Sequence, residues 1–320
     1  MAEQQIPTDR LDYSGDLRLI VDKVCSAYGI GSAKDFTVIE TGYEDCNVVI
    51  DTGKERFLAK MFAKTRTSED IDRYATIMQK VIEAGVNHPK LVETSSGQKV
   101  YKDDGISLVL MSFVEGKTFL ELDRAPNDDE LRPVVEQAAK VNSIDYIPPY
   151  LFDSWAIPNI ETMFERVKQF IEPDDLKLVQ QVIEQYKQIP VDDLPHAFVH
   201  GDFTKANIVK ADNGDVYVLD FSVTNWYPRI QELAVIVANL IHDKNDSRSL
   251  KEKCEHVAEL YSQFGTLTAE ERKYLPAYAL AGITMELLGG LQEKYINGHD
   301  HAETAFWIET GREGLRKALS

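Results

Sequence analysis

The stretch His200-Gly201-Asp202-Phe203-Thr204-Lys205-Ala206-Asn207 decides the fold, together with Ile208-Val209-Lys210, Asp212-Asn213-Gly214-Asp215 and Val216-Tyr217-Val218-Leu219-Asp220-Phe221 behind it. Ile208 to Lys210 and Val216 to Leu219 are short β-favouring runs. Asn213-Gly214 between them is a strong hairpin signal, because both central residues of a type I′ turn need positive φ. With those two residues as the loop, Asp212 faces Asp215, Val209 faces Val218 and Asn207 faces Asp220. This register predicts an amide oxygen and a carboxylate at the open end of one hairpin. Asp202 lies on the loop that enters it.

Two hard oxygen ligands beside a third carboxylate suit Mg²⁺, which prefers oxygen and usually shares its coordination with substrate phosphates. The spacing also matches the kinase signature H-R-D-L-x-x-x-N followed by D-F-G. His200, Asp202 and Asn207 keep that spacing, and Asp220-Phe221-Ser222 stands where D-F-G would. An ordinary surface hairpin also carries Asp and Asn, which favour turns. The joint spacing of His200, Asp202, Asn207 and Asp220 between the right strands favours the catalytic reading.

His200-Gly201-Asp202 through Asn207, then Leu219-Asp220-Phe221, resembles the Brenner-type motif of the aminoglycoside phosphotransferase family, which includes choline-kinase-like, homoserine-kinase-like and methylthioribose-kinase-like enzymes. Protein kinases commonly carry Arg where Gly201 stands, and that Arg reads an activation-loop phosphate. Only Phe221 to Pro228 separate Asp220 from the helical pattern that begins at Arg229, which leaves no room for an activation loop. The hairpin therefore reads as a kinase and the segment behind it as a small-molecule kinase.

Upstream, Leu17, Ile20, Val21, Val24 and Tyr28 share one helical face. Strands are predicted at Phe36–Glu40, Asn47–Asp51 and Arg56–Phe62. Gly42 and Asn47 match the family's G-x-x-x-x-N before the second strand, which implies a loop over nucleotide phosphates. Phe57-Leu58-Ala59-Lys60 resembles the V-A-I-K strand, whose Lys pairs with phosphates. A capping box at Thr67 to Asp70 opens a helix with a buried stripe of Ile71, Tyr74, Ile77, Met78, Val81 and Ile82. The family's helix carries a Glu that pairs with the strand-three Lys, whereas Tyr74 stands at that position here. Asp70, Asp72 or another group must orient Lys60. The apolar run Ser107 to Met111 is a buried strand, and Ser112 to Gly116 resembles the family's hinge, which places Met111 and Phe113 beside the adenine.

The resemblance implies an α+β, bilobal protein-kinase-like fold, with a small β-rich N-lobe over residues 1–112 and a large, mainly helical C-lobe over 113–320. Apart from the catalytic hairpin the C-lobe reads as helical, from the helix opened by Asn127 and Glu130 to the last at Ala302–Leu319. Asp202 is expected to act as base or positioning group for a substrate hydroxyl, with His200 supporting the loop. Asn207 and Asp220 are expected to hold Mg²⁺. Lys60 is expected to hold the phosphates of ATP, with GTP as the alternative nucleotide. Glu232 matches an acid that braces the catalytic loop in the family, where Asp is usual.

The chain of 320 residues carries 53 acids against 35 bases, a net charge of −18. That balance disfavours nucleic acid and anionic membrane, which need basic patches. Cys25, Cys46 and Cys254 lack metal-type spacing and read as buried thiols in a reducing, cytoplasmic setting. No signal peptide or transmembrane run is evident, and the oligomeric state stays open. His299-Asp300-His301 reads as a solvated turn, and Trp226-Tyr227 fits either a substrate pocket or the core. The expected partners are a nucleoside triphosphate and a small hydroxyl-bearing acceptor. Because residues 113–320 hold 35 acids and 21 bases, the acceptor is expected to be cationic. Two readings compete with an antibiotic-type phosphotransferase: a metabolic homoserine- or choline-type kinase, and a nucleotide-binding pseudokinase or scaffold without turnover.

Overall fold

A computed structural model describes residues 7–319, and the chain divides into two units. The described residues of the first unit run to Glu83 and again from His88 to Glu115. Its elements are α1 (Leu17–Tyr28), β1 (Asp35–Ile39), β2 (Cys46–Asp51), β3 (Arg56–Met61), α2 (Ser68–Glu83), β4 (Leu91–Val92), β5 (Val100–Asp103) and β6 (Ile106–Ser112). The strands form one antiparallel sheet in the order β1-β2-β3-β6-β4, with β5 also paired to β6. Asp16 caps α1 by accepting the Arg18 N–H at 2.9 Å, and Gly29 in the left-handed region ends it. The apolar face of α1 (Ile20, Val21, Val24) packs with Val48, Ile50, Ala59, Met61 and Leu108 from the alternate, inward positions of the strands. Thr67 and Asp70 hold each other's backbone N–H at the start of α2, as the capping box predicts. Ile71, Tyr74, Ile77, Met78 and Val81 are buried, but Ile82 is 42% exposed and lies off the stripe.

The second unit comprises Ala84–Asn87 and the chain from Gly116 onward. Here β7 (Gly116–Thr118) is followed by α3 (Asp128–Asn142), α4 (Ile160–Val167), α5 (Pro173–Tyr186), β8 (His196–Val199), β9 (Ile208–Ala211), β10 (Val216–Val218), β11 (Asn225–Pro228) and α6 (Ile230–Val235). Then come α7 (Leu250–Tyr261), α8 (Ala269–Tyr295) and α9 (Ala302–Leu319). One turn of π-helix, Ile236–Leu240, extends α6, and the Ile241 N–H reaches the Ile236 carbonyl at 3.0 Å. Complete capping boxes open α3 (Asn127, Glu130), α7 (Ser249, Glu252) and α8 (Thr268, Glu271). Arg229 forms a bidentate pair with fully buried Glu271 at 2.6 and 2.7 Å, tying the start of α6 to that of α8.

This half is mainly helical as expected, but it holds three strands besides the catalytic hairpin, β7, β8 and β11. The strands β7, β9 and β10 form one small sheet, and β8 pairs with β11 in a second ladder. The segment after Asp220 is therefore held in a sheet, with Asn225 opposite Val199 and Tyr227 opposite Ala197. Tyr227 is buried against Val199 and Ala156, whereas Trp226 on the alternate face is half-buried. No helix among the described residues is long and apolar enough to cross a membrane.

Candidate active site

The catalytic hairpin forms, but one residue out of the predicted register. Lys210 pairs with Val216, Val209 with Tyr217 and Ile208 with Val218. Ala211 donates to the Asp215 carbonyl, and the Gly214 N–H turns back onto the Ala211 carbonyl, both at 2.9 Å. The loop thus holds Asp212, Asn213 and Gly214, with Gly214 at φ +91°. It is a three-residue turn closed by a left-handed glycine, the next most common hairpin after the two-residue type. Asn207 consequently bonds to Leu219, whose N–H reaches the Asn207 carbonyl at 2.8 Å, and does not face Asp220 across the ladder. Asp220 instead leaves the strand at φ +56°, a left-handed conformation that Asp tolerates better than most residues and that marks a constrained site. Its Oδ1 accepts from the Ser222 backbone N–H at 3.2 Å and from the Ser222 hydroxyl at 2.6 Å.

Asp202 and Asn207 do come together. The Asn207 amide nitrogen donates to Asp202 Oδ2 at 2.5 Å and to the Asp202 carbonyl at 3.2 Å. This fixes the amide with Nδ2 on Asp202. Oδ1, the other atom of this amide, is a hard oxygen of the kind a divalent cation takes. The loop around Asp202 is held from beneath. His200 is fully buried; its Nδ1 accepts from the Asp202 N–H at 3.0 Å and its Nε2 donates to the Leu219 carbonyl at 2.8 Å. Phe203 and Phe221 pack edge-on against the ring. Burial pushes the imidazole down to about 4, so the neutral Nε2–H tautomer satisfies both bonds. Gly201 adopts φ +88°, a left-handed turn that Arg at this position would strain.

Glu232 of α6, fully buried, accepts the backbone N–H groups of both His200 and Gly201, the latter at 3.2 Å. Burial pushes its carboxyl up to about 8, against the two N–H donors that favour the ionised form.

In the sheet of the first unit, β2 and β3 place Asn47 directly opposite Lys60. Lys60 is buried, and its ammonium lies 3.2 Å from the buried carboxylate of Asp45 and 5.6 Å from the centre of the Tyr74 ring. One partner of Lys60 is thus a residue of the Thr41–Cys46 turn. Asp70 caps α2. Asp45 also accepts from the Ala63 N–H at 3.0 Å, and Arg10 holds the turn by donating to the carbonyls of Gly42 and Asp45. Met111 is buried in β6 between Leu58 and Leu91. Phe113 follows that strand, donates its N–H to the Arg56 carbonyl, and carries the Arg56 guanidinium 4.2 Å from its ring centre.

Toward the C-terminal end, the His299-Asp300-His301 turn keeps Asp300 exposed as expected but anchors His299, whose Nδ1 lies 2.7 Å from the buried carboxylate of Glu293. Among the described residues no cluster of His, Cys, Asp and Glu is arranged as a metal cage there.

Sequence reasoning missed two further contributors, Asn239 and Glu286. Asn239 accepts the Lys205 backbone N–H at 2.9 Å and donates to Glu286 at 2.8 Å. A lone Asn inside the apolar run Ile236-Val237-Ala238-Asn239-Leu240-Ile241 was the available signal.

Residues 35–266 match the model of the APH family, the phosphotransferase enzyme family. That stretch is most of the chain, and the chain belongs to this family. Among curated relatives, a homoserine kinase of Bartonella tribocorum is 24% identical over 105 residues, covering 33% of this chain but only 32% of the relative. A homoserine kinase of Methylobacillus glycogenes is 22% identical over 301 residues, 92% of this chain and 91% of the relative. Among solved structures, a spectinomycin phosphotransferase in complex with ADP and spectinomycin superposes with a TM-score of 0.69 at 10% identity, covering 95% of this chain and 98% of that one. An amicoumacin kinase in complex with AMP-PNP, Ca²⁺ and Ami gives 0.68 at 14% identity, covering 95% and 94%. The fold is protein-kinase-like, with a sheet-rich N-terminal part and a largely helical C-terminal part.

Proposed function

We propose that this phosphotransferase moves the γ-phosphoryl group of Mg·ATP to a hydroxyl of a small cationic acceptor. The observation that carries the reading is the Asp202–Asn207 contact, at 2.5 Å, at the mouth of the hairpin that ends in left-handed Asp220. Asp202 orients the acceptor hydroxyl and receives its proton. Asn207 and Asp220 would hold the divalent cation, whose charge would offset that of the phosphates. Lys60, ordered by Asp45, holds phosphate oxygens, Gly42 and Asn47 flank it, and the backbone near Met111 and Phe113 meets the base. In this reaction class positioning and electrostatics carry most of the acceleration. The three buried cysteines fit a reducing, cytoplasmic compartment.

The acceptor's charge follows from the distribution of acids. Residues 1–112 hold 18 acids and 14 bases, whereas residues 113–320 hold 35 and 21. A surface of one sign raises the local concentration of an oppositely charged ligand. Between an antibiotic and a metabolite, the curated relatives favour a small amino-alcohol metabolite, and the charge assignment selects one without the carboxylate that leaves homoserine itself net neutral. The test is ATP turnover against pooled amino-alcohols, sugars and aminoglycosides, with mass detection of the product. A phosphorylated amino-alcohol supports the reading, and its kcat/KM should fall as ionic strength rises. A neutral sugar as best acceptor refutes the cationic assignment, and nucleotide binding without turnover on any acceptor refutes the kinase.

A further inference from the structure

The catalytic loop is fixed at two points. Glu232 holds its entrance at His200 and Gly201. The second point is Lys205, two residues before Asn207. The Lys205 carbonyl accepts the Leu120 N–H at 2.9 Å, and its N–H donates to Asn239 Oδ1 at 2.9 Å. Its ammonium reaches the His242 carbonyl at 2.7 Å. Asn239 sits on the π-turn, a departure from regular helix that recurs at functional sites. An amide can satisfy Lys205 only with its oxygen toward the loop, and the donor to Glu286 Oε1 at 2.8 Å selects that orientation. Glu286 lies in the middle of the long helix α8 and is half-buried.

We propose that Asn239 and Glu286 form a second brace of the catalytic loop, in which Glu286 sets the Asn239 amide so that it holds Lys205 and, through it, the Asp202–Asn207 pair. The role is one of positioning, because neither residue is placed on the reacting atoms. Burial, together with the nearby charge of Asp202, pushes the Glu286 carboxyl up to about 7. Oε1 can accept from Asn239 in either protonation state. The brace therefore depends on the direction of hydrogen bonding and not on a fixed charge. The proposal rests on the kinase reading only for its kinetic consequence.

Two readouts test it. The first is amide exchange at Lys205 in the full chain without ligands, which stands whatever the enzyme phosphorylates. Asn239→Ala removes the acceptor of that N–H and should speed its exchange about tenfold or more. The second is turnover with the acceptor found by the screen. Asn239→Asp sets a carboxylate against Glu286 and should lower kcat about 10–100-fold, the scale of a small misplacement of reacting groups, with nucleotide KM changed much less. Adding Glu286→Gln reverses the donor and acceptor and should recover kcat. If Asn239→Ala fails to fold, Glu286→Ala replaces it, since it leaves Asn239 in place but unoriented. Unchanged Lys205 protection in Asn239→Ala, or in its replacement, overturns the proposal. A double variant no better than Asn239→Asp overturns it too. A parent enzyme inactive on every acceptor would sink the kinase reading while leaving the exchange experiment to decide the brace.

Discussion

Protonating His200 should loosen the catalytic loop, and the structure sets the size of the effect. The ring is fully buried, takes the Asp202 N–H at Nδ1 and gives its Nε2–H to Leu219. An imidazolium would turn Nδ1–H against the Asp202 N–H, two donors face to face. The unfolded chain binds this proton below about 6.5, whereas the folded protein resists it until about 4. The unfolded state therefore carries the extra proton across that window, so stability is complete above pH 6.5 and falls as the pH drops toward 4. A gap of about 2.5 units at 1.36 kcal/mol each amounts to about 3 kcal/mol, a large share of a typical 5–15 kcal/mol. The assay is urea unfolding of the parent and of non-titrating His200→Asn at pH 7 and pH 4, at matched ionic strength. The advantage of the parent over the variant should shrink by about 3 kcal/mol between the two. An advantage that stays constant within about 0.5 kcal/mol would refute the neutral, buried histidine.

Further tests concern the other site residues. Asp202→Ala should keep nucleotide binding and lose about 10²–10⁴-fold in turnover, measured by product formation. Asp220→Ala should abolish the metal dependence of nucleotide binding in calorimetry, since the cation is the largest charge beside the phosphates. Asp45→Ala should weaken nucleotide binding while Asp72→Asn leaves it intact; the opposite ranking would return the orientation of Lys60 to the helix. Glu271→Ala should cost about 3–5 kcal/mol in urea unfolding, because Arg229 loses a buried bidentate partner. No phosphorylation of a generic protein substrate is expected, since the segment after Asp220 is paired with β8.

Local rules carried much of the fold into the sequence. Capping residues, apolar stripes and turn residues act within a few positions, so the apolar face of α1, Asn127 and the last helix at Ala302–Leu319 were legible. The hairpin itself was legible from Asn213-Gly214, but its register was not. The same dipeptide serves a two- or a three-residue loop, and the backbone of Asn213 separates them: the two-residue type needs it left-handed, whereas here only Gly214 is. That slip changed which residues face each other, and the positive φ of Asp220 had no signature in a strand pattern. Contacts distant in sequence were the least visible. Lys60 finds Asp45 across a turn, and Asn239 finds Glu286 from 47 positions away, with no motif linking either pair. The β8–β11 ladder was overlooked although Asn225-Trp226-Tyr227 contains β-favouring aromatics.

The wide turn at Ile236–Leu240 makes the length of this helix as consequential as its composition. A π-turn accommodates one residue more than the α-helix around it. Removing any one of those five positions would let the ladder close in regular α form. The residues before and after the deletion could then not both keep their present partners. Positions flanking Asn239 can exchange one apolar side chain for another at modest cost. A deletion there would swing the amide away from Lys205 or displace His242 and the chain that follows. Related chains that differ at many sites in this stretch should therefore still agree in its residue count.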